Sequence, residues 1–219
     1  MPNFGFSAFL KLICLNARPS RSEVRRRLGP SESGYDFHRS LRLRANRYLV
    51  GGVPIEEVMA SVDEIVRAPE QASARAGLER LDEWRRAHPG PILSYPPATY
   101  ESPGGLYKVT FTSDFGLSLR GQGVAIHVWN TAQPDLVPRL VYAALSLIAP
   151  EYDGSDNPPD DIAVLSLPEM RLYRLSEAGR YATLGAGVGA RIEELIRDVQ
   201  DEIDQPPAHD RPQHGPGRG

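Results

Sequence analysis

One stretch constrains the fold more than any other, the run GLYKVTFTSDFGLSLRGQGVAIHVWN from Gly105 to Asn130. Tyr107, Val109 and Phe111 alternate with Lys108, Thr110 and Thr112. A period of two puts apolar side chains on one face of a strand and polar ones on the other. Ser113, Asp114 and Gly116 supply turn chemistry around Phe115, and Leu117 and Leu119 then alternate with Ser118 and Arg120. Gly121-Gln122-Gly123 reads as a tight turn. In the last segment Val124, Ile126 and Val128 share one face, and Ala125, His127 and Trp129 the other. Both faces are mostly apolar, which predicts a central strand covered on both sides. The whole reads as an antiparallel meander of three strands.

The rest of the chain arranges itself around this sheet. Phe6, Phe9, Leu10, Ile13 and Cys14 fall on one face of an amphipathic helix within Phe4–Leu15, core-facing or partner-binding. Lys11 interrupts that apolar run and no basic segment precedes it, which argues against an export signal. Ser20 and Glu23 fit a capping box opening a helix that stops at Gly29-Pro30. After a Ser31–Gly34 loop, a second helix is predicted from Tyr35 to Val50, with Phe37, Leu41, Ala45, Tyr48 and Leu49 inward. Pro54 and Pro69 each suit the first turn of a helix. The first is lined by Ile55, Val58, Met59, Val62, Ile65 and Val66, the second by Leu78, Leu81 and Trp84.

Residues 1–90 thus form a helical region, joined through a Pro-rich connection to a sheet region over 91–204. Beyond Trp129 a buried helix over Leu136–Ile148 leads to strands at Ile162–Leu167 and Arg171–Leu175. A strand–helix–strand order of that kind can place Val124–Trp129 and Ile162–Leu167 side by side and parallel. A last helix is expected over Arg191–Ile203 and a disordered tail over 205–219. The fold class is α+β: an N-terminal helical region packed on a mixed, mainly antiparallel sheet of about five strands, with a crossover helix and a C-terminal helix.

Composition excludes little. A single cysteine, Cys14, allows no internal disulfide and, without an export signal, predicts a reducing cytosol. No apolar run is long enough to span a bilayer, so no membrane partner is expected. The net charge of −3 conceals a split. Residues 11–50 hold ten basic residues against three acids, and residues 91–219 hold ten against seventeen. All but Lys11 and Lys108 of the 25 basic residues are Arg, as a GC-rich, bacterial-looking coding sequence would give.

Motifs are sparse. Gly185-Ala-Gly187-Val-Gly189 lacks dinucleotide-loop spacing and reads as a helix entry built of small residues. Asp153, Asp156, Asp160 and Asp161 lack the spacing of a calcium loop and read as a solvated acidic loop. His209 and His214 fall in the tail. No G-x-S-x-G, P-loop or H-E-x-x-H occurs, so no cofactor, resident metal or catalytic residue is assigned. The order of elements from the meander through the crossover helix resembles the core of the PD-(D/E)XK, restriction-endonuclease-like family. The resemblance implies an acid at one strand end, for which Asp114 stands, and a Glu-x-Lys on the next strand. That strand reads Ala125-Ile126-His127-Val128-Trp129-Asn130, and no lysine follows Lys108.

Three functional readings follow. The first is a non-enzymatic binding or regulatory protein. Arg25, Arg26, Arg27, Arg39, Arg42, Arg44 and Arg47 would neutralise the phosphates of nucleic acid or meet an acidic protein. Against it stands an Arg-rich face docked on the acidic second half of the same chain. The second is a metal-dependent, nuclease-like enzyme using Asp114 and His127. The third is a structural subunit of a larger complex.

Overall fold

In the computed structural model, residues 1–15, 17–28 and 37–204 are described. The predicted helix stop at Gly29-Pro30, the Ser31–Gly34 loop, the helix start at Tyr35 and the tail with His209 and His214 lie outside them.

The fold is α+β, built on two sheets. The larger has the order β2-β5-β6-β7-β8, from Ile92–Leu93, Phe115–Leu119, Gln122–Trp129, Asp161–Ser166 and Arg171–Arg174. Its pairings are antiparallel except β6 with β7, which run parallel across the helix α6 (Pro138–Ile148). The smaller sheet has the order β1-β4-β3, from Asn3–Gly5, Lys108–Phe111 and Ala98–Glu101.

β6 is the central strand, and its two-sided apolar pattern has the predicted consequence. Val124, Ile126 and Val128 pack with Phe115, Leu117, Ala163 and Leu165 beneath α3 (Arg39–Leu49), α4 (Ile55–Ala60) and α5 (Ala68–Ala87). Leu41, Ala45, Leu78, Leu81 and Trp84 close that layer. Ala125 and Trp129 belong to the opposite layer. There α1 (Phe6–Cys14), α2 (Ala17–Leu28), α6, α7 (Ala182–Asp204) and the small sheet bury Phe4, Phe6, Phe9, Tyr107 and Phe111. Every residue of β7 is buried, as a parallel strand covered on both faces requires.

Several expectations are corrected. The meander loses its first member, because Lys108–Phe111 pairs with β3 and β1 instead of β5. The period of two identifies a strand and its inward face but not its neighbour. Beside β5 lies β2, two residues within the Pro-rich connection. The tight turn falls on Arg120-Gly121, both at positive φ, because Leu119 pairs with Gln122. The N-terminal helix begins at Phe6, since Asn3–Gly5 forms a strand parallel to β4. Ser20 lies inside α2, not at its cap, and its hydroxyl donates to the Leu12 and Leu15 carbonyls at the end of α1. The helix after Pro54 is only six residues, followed by a 3₁₀ turn at Ser61–Glu64, and Val66 is 97% exposed. The last helix starts at Ala182 and takes in the glycine run.

Two of those glycines, Gly185 and Gly189, are contact points within a helix, while Gly187 faces open space. A Cβ at Gly185 would meet the Ala143 carbonyl of α6 at 2.8 Å, and one at Gly189 the Tyr100 hydroxyl at 2.9 Å. Two of the four clustered aspartates are likewise structural. Asp160 accepts the Gly123 N–H, and Asp161 is a buried residue of β7.

Candidate functional site

The two sheets meet where the chain passes from β4 to β5 through Thr112-Ser113-Asp114. The Asp114 N–H donates to the Ile126 carbonyl at 2.9 Å, and its Oδ2 accepts the Val128 N–H at 2.7 Å. Ile126 and Val128 flank His127, so these two bonds clamp the carboxylate beside the imidazole. Asp114 Oδ2 lies 3.3 Å from His127 Nδ1. The Thr112 carbonyl lies 3.2 Å from the same nitrogen.

The other ring nitrogen meets a residue from the opposite end of the chain. Ser7 Oγ is 2.6 Å from His127 Nε2. The register of the small sheet explains how. Gly5 pairs with Thr110, and Ser7 and Thr112 each lie two residues further along parallel directions. Ser7 is the second residue of α1, and Gly5 at its N-cap makes no side-chain cap.

The protonation pattern follows from the partners. A carbonyl oxygen only accepts, so Nδ1 carries the hydrogen and donates to Thr112. In the neutral ring Nε2 is then an acceptor, and the Ser7 O–H donates to it. The arrangement is graded in exposure: the side chains of His127 and Asp114 are 8% and 10% exposed, while Ser7 is half-buried. The rings of Phe6 and Phe111, with centroids 5.4 and 5.9 Å from the imidazole, wall it from solvent.

Asp114 and His127 therefore come together, but as parts of a Ser–His–Asp constellation. Both ring nitrogens are engaged, and among the described residues no group of three His, Cys, Asp or Glu side chains could hold a metal ion. On β6, His127-Val128-Trp129 stands beside Asp114 where the endonuclease-like resemblance implies Glu-x-Lys. Lys108 sits on the other sheet, paired with Glu101 at 2.7 Å. Ser7 had no sequence signal: it lies 120 residues from its partner, outside any nucleophile motif.

The arginines divide into three groups. On α2, Arg25 pairs with Glu202 of α7, Arg26 and Arg27 pair with Glu23, and the Arg27 guanidinium lies over the Phe4 ring. Arg21 also holds Asp198 and Glu202, so the basic α2 rests on the acidic end of α7. On α3, Arg44 turns inward to the Ser61 carbonyl and hydroxyl. Arg42 is half-buried, and Arg39 and Arg47 are exposed on the same helix, with Leu43 between them.

A cavity of about 370 Å³ lies apart from Ser7 and His127, between the end of α1, α2, α6 and α7. Leu12, Leu140, Ile192 and Leu195 line it, and Arg21, Glu194 and Asp198 stand around it. Cys14 is half-buried, and burial pushes its thiol pKa up, as suits a packing residue.

No protein-family model matches the chain, and no curated protein matches it. Among the described residues no helix is long and apolar enough to cross a membrane.

Proposed function

We propose that the protein is a hydrolase or acyl-transfer enzyme acting through Ser7. The observation that carries the reading is the 2.6 Å contact of Ser7 Oγ with a His127 whose opposite nitrogen is already held as a donor. Ser7 Oγ attacks the carbonyl carbon of an ester or activated amide while its proton passes to His127 Nε2. The imidazolium returns that proton to the departing alcohol or amine, leaving an acyl-serine. Water, activated by the same imidazole, then releases the acid and regenerates Ser7. The Asp114 carboxylate beside Nδ1 stabilises the imidazolium. The first-turn N–H groups of a helix have no intrahelical acceptors, and α1 carries no side-chain cap, so this reading assigns the developing oxyanion to that helix start.

The test is reaction of the purified protein with a fluorescent fluorophosphonate, followed by peptide mapping. Ser7 is expected to carry the label. Ser7→Ala should abolish labelling, and His127→Gln should slow it roughly 10²–10⁴-fold, with unchanged circular dichroism. A folded protein that takes up no probe and hydrolyses no p-nitrophenyl ester would leave the constellation as a structural latch.

A second reading is favoured by the exposed pair Arg39 and Arg47 on α3. We infer that this face meets the phosphates of a nucleic acid, with Arg42 alongside. An acidic protein is the competing partner, and Arg25, Arg26 and Arg27 contribute what their intramolecular pairs leave over. Titration of labelled single- and double-stranded DNA and RNA at two salt concentrations tests it. Binding should weaken steeply with salt and vanish in Arg39→Glu/Arg47→Glu. Absence of binding at low salt removes it.

A further inference from the structure

We propose that the main chain, and not the Asp114 carboxylate, fixes the tautomer of His127. The inference rests on the reading of Ser7 and His127 as a reactive pair and assigns the supporting roles around it. The Nδ1–H has two oxygen neighbours, the Thr112 carbonyl at 3.2 Å and Asp114 Oδ2 at 3.3 Å. Of the two, the carbonyl has the geometry of a hydrogen bond from the ring N–H, while Asp114 Oδ2 stands beside it as a charged neighbour. It belongs to the segment joining β4 to β5, and it can neither ionise nor donate. A carbonyl in that position permits one neutral tautomer only, the one in which Nε2 faces Ser7 as an acceptor.

Asp114 is constrained by the main chain as well. The oxygen nearest the ring, Oδ2, is the same atom that accepts the Val128 N–H at 2.7 Å. An amide N–H demands an oxygen there. In Asp114→Asn the side chain therefore has to place its amide oxygen against Val128 and its NH₂ group away from the imidazole. In the usual Ser–His–Asp arrangement the same substitution turns the histidine to the wrong tautomer and costs about 10⁴-fold in rate. Here it removes a negative charge and leaves the tautomer alone. Thr112 acts as the positioning residue through its carbonyl, and Asp114 acts through its charge.

The experiment uses the full chain labelled with ¹⁵N-histidine. Long-range ¹H–¹⁵N correlation is recorded at a pH where the imidazole is neutral, and His127 is assigned from the signal lost in His127→Gln. Wild type, Asp114→Asn and Asp114→Ala should all show a protonated Nδ1 and an unprotonated Nε2. Fluorophosphonate labelling of Asp114→Asn should be slowed by much less than the ~10⁴-fold of a tautomer flip. An Nε2–H tautomer in the wild type or in either variant overturns the inference. Labelling that fails in all proteins while the tautomer is as expected defeats the catalytic reading alone. A flipped tautomer in protein that still labels defeats this inference alone.

Discussion

At the scale of single residues, two glycines on neighbouring strands carry different obligations. Tyr95 lies across β5 and β6 at Gly116 and Gly123. A Cβ at Gly116 would sit 2.6 Å from the Tyr95 ring and 2.7 Å from the Leu93 carbonyl, which β2–β5 pairing holds in place. A Cβ at Gly123 would press on the Tyr95 hydroxyl, the outer end of a half-buried side chain. Gly116→Ala should cost about 1–3 kcal/mol, the usual penalty of overpacking a site that cannot relax. Gly123→Ala should cost less, and Tyr95→Phe should relieve most of it. Urea unfolding of the three variants and the Gly123→Ala/Tyr95→Phe double variant checks this. Equal costs at the two glycines would mean that Tyr95, not the Leu93 carbonyl, sets the clash.

At the scale of elements, the parallel pair β6–β7 is tied to the edge strand β8 by a buried ion pair. Asp161 and Arg174 have side chains 3% and 10% exposed and meet at 2.9 Å. Asp161 also accepts the N–H and hydroxyl of Ser176 and the Ile162 N–H, while Arg174 reaches Gln122 across the sheet. Asp161→Asn leaves a buried guanidinium without its counter-charge and should cost about 3–5 kcal/mol. Glu177→Gln, which removes a mostly exposed partner 3.7 Å from the same arginine, should change stability by no more than about 0.5 kcal/mol. Chemical denaturation checks both. The α2–α7 contact differs in kind, since its Arg21 and Arg25 pairs with Glu202 are solvent-accessible. The apolar contacts of Val24, Ile192, Ile196 and Val199 hold that helix pair.

At the scale of the whole molecule, buried and half-buried phenols set its alkaline limit. Burial pushes Tyr152 up to about 12, with its hydroxyl donating to the Pro96 carbonyl. Tyr48 and Tyr173 are also raised to about 12, first by burial and then by hydrogen bonds to Asp82 and Glu169. Tyr107, beneath the small sheet and bonded to the Gly189 carbonyl, is raised further still. The unfolded chain ionises these groups near pH 10. Their folded pKa lies above that, so their contribution to stability is complete below about pH 10 and is lost as pH rises through about 12. Phenolate absorbance and circular dichroism should therefore change together in that window. Phenolate from all nine tyrosines near pH 10, with the dichroism intact, would show that these four rings are open to solvent.

The residues themselves determined most of the helices, the strands β4 to β8 and which strand is central, while β1, β2 and β3 went unread. Val124–Trp129 is apolar on both faces, and no edge position could satisfy that. The same alternation marked Lys108–Phe111 as a strand but could not choose its sheet, because strand partners are selected by long-range packing and not by local period. The sequence also offered Asp114 and His127 as a pair, thirteen residues apart on a hairpin. Only the tertiary structure decided what that pair is for. The three-residue β1, too short to announce itself, docks beside β4 and sets Ser7 against Nε2, while two main-chain groups, the Thr112 carbonyl and the Val128 N–H, orient the rest. Backbone groups are the same in every residue, so neither their placement nor a contact spanning 120 positions leaves a mark in the order of side chains.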